Sequence, residues 1–277
     1  NSIKLLGIIP KFVDVEQETL CLNIDQVKSA INPKTKAIIL VSANGRYPKT
    51  DVLKFKKLAD ENNLKLIEDA AQSLGSFYPD GRHIGTIGQI GVFSFSTPKI
   101  ISTGQGGALV TNSEVLAKKI RKLKDFGRSS GGNDLHDTIG FNFKFTDLQA
   151  VIGIEQMKKL PARMLRKKTI WQLFKEKLKN VEQIKLFDHY IEHTTPWFID
   201  CIVKNRSGLV NFLKEKNIST RLMYPPINEQ LAYKVSGNHP VSKEVGTNGL
   251  WLPSMVQLSD EQIDYVTSNI KIFYQSR

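Results

Sequence analysis

Cysteine is nearly absent: Cys21 and Cys201 are the only two in 277 residues, far apart and without metal-ligand spacing. That excludes a disulfide framework and a zinc site, and both thiols are expected to be free and buried. Long apolar runs are missing too. No stretch approaches the roughly 18 consecutive apolar residues of a membrane span, and no signal-peptide pattern opens the chain. The expectation is therefore a cytoplasmic protein with no membrane contact. Acidic residues are in deficit, 27 against 39 lysines and arginines, which leaves a formal net charge of +12. Such an excess raises nucleic acid as a partner. The basic runs at 54–57, 118–124 and 163–168 fall in three separate helix-like segments, however, and read as solvated faces. No nucleic-acid partner is expected; a basic surface would equally steer a nucleotide-linked substrate.

With 40% hydrophobic and 24% charged residues, the composition is that of a globular protein large enough for one big domain and a smaller lobe. Residues 1–6 read as the latter part of a helix ending at Gly7, and residues 12–15 as a short strand. Residues 25–31 read as a helix with Asp25 as N-cap. Residues 36–42 form a near-continuous apolar run, the pattern of a strand buried on both faces. Helical spacing of Val52, Phe55, Leu58 and Ala59 follows within 48–61, and strand character returns at 64–70. Strand, helix, strand in so short a stretch is a βαβ unit. Strands at 90–96 and 107–111, a helix at 113–124 capped by Ser113, and a glycine-rich mobile loop at 126–137 come next. Thr146 to Gln149 matches a capping box opening a helix to about Leu160, which Pro161 ends or kinks. A basic helix at 163–179 buries Ile170, Leu173, Phe174 and Leu178. A strand at 199–203, a helix capped by Ser207 and running to Lys216, a strand at 220–223 and a helix at 260–273 complete a small α/β lobe. The division is a large domain at 1–160, then a linking helix and small domain at 161–277.

Chemistry gathers at the run from Phe93 to Gly107, where apolar residues give way to hydroxyls, one lysine and three glycines. Lys99 projects from a turn made rigid by Pro98 and the glycines. Held among Phe, Pro and Ile side chains, its amine is partly desolvated, which lowers its pKa and frees a lone pair for Schiff-base chemistry. A lysine in a turn is also an ordinary surface charge. Glu68 and Asp69 end a strand at the sheet edge where α/β proteins bind ligands. Because successive strand residues face opposite ways, only one of the two acids points into a given site. Small residues Ala70 and Ala71 and the amide of Gln72 follow Asp69; an acidic helix cap reads as well from the same residues.

The segments Ile67 to Gly75, Gly91 to Phe95, Lys99 to Gly107, Ile139 to Ala150, Arg221 to Pro225 and Leu252–Pro253 together resemble the DegT/DnrJ/EryC1/StrS aminotransferases, pyridoxal-phosphate enzymes acting on nucleotide sugars. The resemblance covers essentially the whole chain. It implies an α/β fold of the type I aminotransferase class: a large domain with a mostly parallel sheet, a small C-terminal domain, and a homodimer with shared active sites. It implies that Lys99 forms the Schiff base and moves protons, and that Asp69 pairs with the pyridine nitrogen of pyridoxal 5'-phosphate. Gln72 matches the residue near the ring's 3-oxygen, Ser94 a hydroxyl on the phosphate, and Asn142 a residue reaching the phosphate of the neighbouring subunit. The implied reaction passes an amino group from glutamate to a keto group of a nucleotide-linked deoxysugar.

Three positions depart from the family pattern: Gln105 for a frequent Glu, Phe126 for a His, and Lys144 for an Arg. By this resemblance Asn1 aligns well inside the family's chain, so the glycine-rich helix start around the phosphate and the aromatic residue stacked on the ring are expected upstream of it. A relative that keeps the fold without binding cofactor is the alternative. A sugar dehydratase of the same fold is a third reading, and Lys99 counts against it, because those relatives carry His there.

Overall fold

The computed structural model describes residues 1–129, 133–233 and 235–275. α1 (Ser2–Leu5) is a single turn that gives way at Gly7, whose φ is +71°. The strand expected at 12–15 is replaced by one antiparallel bridge between Val15 and Leu22. Asp14 in that segment is committed elsewhere: its carboxylate accepts the backbone N–H groups of Val241 and Ser242 at 2.9 and 3.0 Å. α2 (Ile24–Ala30) is capped by Asn23 and not by Asp25. Asn23 is the residue still in extended conformation, so its side chain can turn back to the N–H groups of Asp25 and Gln26.

The expected βαβ unit is present as β1 (Ala37–Val41), α3 (Val52–Glu61) and β2 (Lys65–Asp69), with β1 and β2 parallel and Ala37 opposite Lys65. β3 (Ile90–Ser94) adds parallel to β2, and β4 (Gly107–Val110) returns antiparallel, giving the order β1-β2-β3-β4. Ile38, Leu40 and Leu66 of the sheet bury against Val52, Phe55 and Leu58 of α3. Glu68 alternates with Leu66 and shares its buried face. Its carboxylate collects four donors: Tyr78 OH at 2.7 Å and the N–H groups of Gly85, Ile87 and Gly88 at 2.9, 2.6 and 2.5 Å. A buried charge survives only with such pairing, so the segment between β2 and β3 is wound around it.

α4 (Glu114–Leu123) begins at Ser113 as expected, its hydroxyl accepting the Leu116 N–H at 3.3 Å. Of the loop expected at 126–137, residues 130–132 lie outside the described residues. Its described ends are tied by an antiparallel bridge between Arg128 and His136. The capping box at Thr146 and Gln149 opens α5 (Asp147–Leu178), a single helix of 32 residues that runs through Pro161. The expected break does not occur. Proline costs a helix interior one hydrogen bond and about 3 kcal/mol, and tertiary contacts just beyond it hold the helix on course. Arg163 Nη1 donates to the Ile100 carbonyl at 2.8 Å and to Gln156 Oε1 at 2.7 Å.

A second, wholly antiparallel sheet follows. β5 (Ile184–Leu186), β6 (Ile199–Val203), α6 (Arg206–Glu215), β7 (Arg221–Leu222), α7 (Pro240–Asn248), β8 (Gly249–Leu252) and α8 (Asp260–Gln275) make it up, with strand order β5-β6-β8-β7. Asn205, in left-handed conformation, caps α6 in place of Ser207. Ile199, Cys201, Leu250 and Leu252 bury one face against Phe174, Leu209, Ile263 and Ile270 from the helices. Both cysteines are free and buried. Directly opposed residues share a face, so Asp200, Trp251 and Arg221, which pair across β6, β8 and β7, stand together on the other side. Among the described residues no helix is long and apolar enough to cross a membrane.

The two sheets are joined by one buried ion pair. Arg46, just past β1, grips Asp200 of β6 with both terminal nitrogens, at 2.6 and 3.1 Å, and the side chains are 2% and 1% exposed. Its Nε donates to the Thr19 carbonyl at 2.9 Å, and His189 Nε2 lies 3.1 Å from Nη1. Burial, with the arginine charge, pushes His189 well below its usual pKa, so the ring is neutral and can accept that bond. Removing one partner leaves an unpaired buried charge. We predict that Asp200→Asn and Arg46→Met each lower stability by about 3–5 kcal/mol in urea unfolding. The double variant Arg46→Met/Asp200→Leu should recover most of the loss; an additive double variant would refute the pairing.

Candidate active site

The site grows from the end of β3. After Ser94 the chain closes residues 95–106 into a loop bonded to itself: Phe95 N–H to Gly106 O at 2.8 Å, Thr103 N–H to Phe95 O at 2.9 Å, and the Thr97 hydroxyl to Gly104 O at 2.9 Å. Gly106 has φ +141°, a conformation closed to other residues. Lys99 sits on this frame, its own N–H bonded to Ser96 O at 3.0 Å.

Above the loop lies a segment from the second half of the chain. Lys99 Nζ stands 3.9 Å from the centroid of the Trp197 ring, and the indole N–H donates to the Pro98 carbonyl at 2.7 Å. The tryptophan is thus pinned to the lysine's own loop. Its carbonyl accepts from Lys167 Nζ at 2.7 Å, an amine that burial pushes down to about 8. Thr195 N–H donates to Ser76 Oγ at 2.9 Å and its hydroxyl to the Gly75 carbonyl at 2.8 Å. Asn44 completes the seam: its amide exchanges bonds of 2.6 and 2.9 Å with the backbone of Phe198, while its N–H donates to Gln72 Oε1 at 2.6 Å. Gly45 beside it has φ +84°, and a β-carbon there would strike the Thr195 carbonyl.

Gln72, Ser94 and Lys99 line one small cleft with Ala71, Thr195 and Trp197. Ser94 and Ser96 place their hydroxyls 3.1 Å apart at its β3 end. Asp69, facing away from the Glu68 cluster, accepts the Ala71 N–H at 3.1 Å. Burial lowers the pKa of Lys99, and the charge of Asp69 partly restores it. The amine is therefore more available as a free base than a surface lysine. Asn142 is not in this cleft. It is exposed and forms an antiparallel bridge with Asp125.

Sequence reasoning missed Trp197, Thr195 and Asn44. Trp197 is 99 residues from its partner Pro98 and carries no local motif; Asn44–Gly45 is a turn dipeptide that could have been noticed. Two of the departures from the family pattern touch each other: Lys144 Nζ lies 4.6 Å from the centroid of the Phe126 ring.

The mixed sheet, the small antiparallel lobe and the lysine loop between them define the class of fold type I aminotransferases. Superposed on the aminotransferase TlmJ from Streptoalloteichus hindustanus, the chain matches over its whole length and 76% of that protein, with a TM-score of 0.92 and 28% identity. In sequence it is 34% identical over 281 residues to GDP-perosamine synthase from Escherichia coli O157:H7, spanning 76% of that protein, and 32% identical over 285 residues to the GDP-perosamine synthase of Vibrio cholerae. The model of the DegT/DnrJ/EryC1/StrS aminotransferase family matches residues 1–271. The chain belongs to that family.

Because Asp69 favours the charged form of Lys99, Asp69→Asn should lower the lysine's pKa further. We predict that the pH midpoint for acylation of Lys99, followed by mass spectrometry, moves down in this variant. An upward move or none would show that the carboxylate does not act on the amine.

Proposed function

We propose that the chain transfers an amino group, with glutamate as donor, to a keto group of a nucleotide-linked deoxysugar, using pyridoxal 5'-phosphate held at Lys99. The observation that carries this reading is the half-buried lysine, its pKa lowered by burial, in one cleft with Gln72 and Ser94 and under the charge of Asp69. The donor set fits the cofactor: an amine for its aldehyde, a carboxylate for its ring nitrogen, and the paired hydroxyls of Ser94 and Ser96 for its phosphate. When bound, pyridoxal phosphate supplies an electron sink for the carbanion formed as the amino-bearing carbon loses its proton.

Lys99 would tether the cofactor and its amine would serve as the proton carrier. Asp69 would pair with the ring nitrogen through its negative charge. Gln72 is oriented by the Asn44 N–H and so presents its amide group in one direction. Trp197 covers the lysine and keeps water from it. The names of the similar enzymes, with GDP-perosamine synthase foremost, support the nucleotide-sugar acceptor.

We further propose that the protein works as a homodimer. Ile139, Phe141, Phe143, Leu148, Val151 and Ile154 stand exposed together, from 57% to 87%, far more apolar surface than an isolated chain would leave in water. Asn142 is exposed and lies in the chain between Phe141 and Phe143, consistent with a place at this interface.

The purified chain mixed with pyridoxal phosphate should develop a visible absorbance band that is absent in Lys99→Ala; identical spectra would end the assignment of Lys99. Sedimentation should give twice the chain mass, and Phe143→Asp should shift it toward one chain. A monomeric wild type would overturn the dimer.

A further inference from the structure

The face of the second sheet turned away from its helices carries three side chains, Asp200, Trp251 and Arg221, in adjacent strands at one level. Asp200 is consumed by Arg46. Trp251 is 6% exposed and forms the centre of a ring cluster: its centroid lies 6.2 Å from Trp197, 4.7 Å from Phe198 and 4.9 Å from Tyr224, the last edge-on. Arg221 ends the row on the edge strand β7. Its guanidinium carbon sits 5.3 Å from the Trp251 ring and 5.6 Å from the Tyr224 ring.

Among the described residues no carboxylate pairs with Arg221. An arginine that merely decorates a surface is free to wander, and its charge is spread into water. This one, though exposed, lies against two rings, which restrains the guanidinium, and its N–H fork meets no acceptor among the described residues. The same rings run without a break to the lysine: Trp197, one neighbour of Trp251, is the ring over which the Lys99 amine stands at 3.9 Å. Tyr224, 54% exposed, opens beside the guanidinium.

We propose that Arg221 is a substrate-binding residue, whose fork takes an oxyanion of one of the two reactants. The proposal rests on the amino-transfer reading. Two sources share that chemistry, the diphosphate of the nucleotide-linked sugar and the free carboxylate of the amino donor, and both suit a bidentate guanidinium. The aromatic row links the guanidinium to the ring that covers the Lys99 amine.

The test uses the full chain with pyridoxal phosphate present, titrated calorimetrically with inorganic diphosphate and with glutarate. At least one of the two should bind the wild type and bind Arg221→Gln weaker by roughly tenfold to a hundredfold, the worth of a charged fork. Arg221→Lys, which keeps the charge and loses the fork, should fall between. Loss of diphosphate binding assigns the residue to the sugar nucleotide, and loss of glutarate binding to the amino donor. The KM for that reactant should rise while the KM for the other stays. Equal binding by wild type and Arg221→Gln, or no binding of either probe by the wild type, overturns the proposal. Failure of the parent reading looks different: it is the absence of a Lys99-dependent absorbance band in unaltered protein.

Discussion

The Arg46–Asp200 pair is the constraint on which the site depends. It joins a residue one turn beyond β1 to a residue in β6, 154 positions later, and together with the Asn44–Phe198 and Thr195–Ser76 bonds it ties the two sheets to each other. Taking both charges out of water is costly, and the geometry offsets that cost: two parallel N–H bonds, a third to a backbone carbonyl and a neutral imidazole on the remaining side. Because Trp197 lies three residues before Asp200, its place over Lys99 is set by the same clamp. The bonds of Asn44, Thr195 and Lys167 then hold the intervening turn. The lysine loop comes from local sequence, whereas its cover comes from this long-range pair.

The parts of the fold that were legible in the sequence are those whose cause is local. β1, α3 and β2 follow from apolar period alone, and the loop around Lys99 follows from hydroxyls and glycines within a dozen residues. What escaped has causes elsewhere in the chain. β8 is four residues, Gly249 to Leu252, too short for a period and buried only because β6 and β7 flank it. α7 buries no side chain and so shows no apolar face; it is docked by Asp14, more than two hundred residues earlier. Pro161 reads as a stop, yet α5 passes it because its far half packs into the second core through Ile170, Phe174 and Leu178. In the site, Gln72, Ser94 and Lys99 could be brought together by motif, and Trp197 could not.

The adjacent acids Glu68 and Asp69 show how strand alternation divides labour. Chemically they are almost the same, and strand alternation alone gives no reason to prefer one; only the family resemblance singled out Asp69. Glu68 falls on the side of Leu66 and must be satisfied inside protein, which takes four donors and orders the segment from Tyr78 to Gly88. Asp69 falls on the other side with a single backbone donor, and most of its capacity to accept is left unspent. A carboxylate already saturated with hydrogen bonds is a poor partner for a new cation, while one with spare lone pairs is a good one. Of the two acids, only Asp69 thus keeps spare acceptor capacity.

Lys99 is placed under opposing influences. Burial disfavours its charge, whereas Asp69 and the face of the Trp197 ring both favour it. Burial is the larger influence and the pKa is lowered, with the carboxylate acting against it. The role proposed for Lys99, nucleophile first and proton carrier second, needs both forms within reach at one pH, and catalysis is most efficient when the pKa lies near that pH. A deeper pocket would strand the amine as a free base, and an exposed one would hold it fully charged. The half-buried loop under an indole, with one acid nearby, sits between those limits, and the Arg46–Asp200 clamp keeps it there by holding the indole in place.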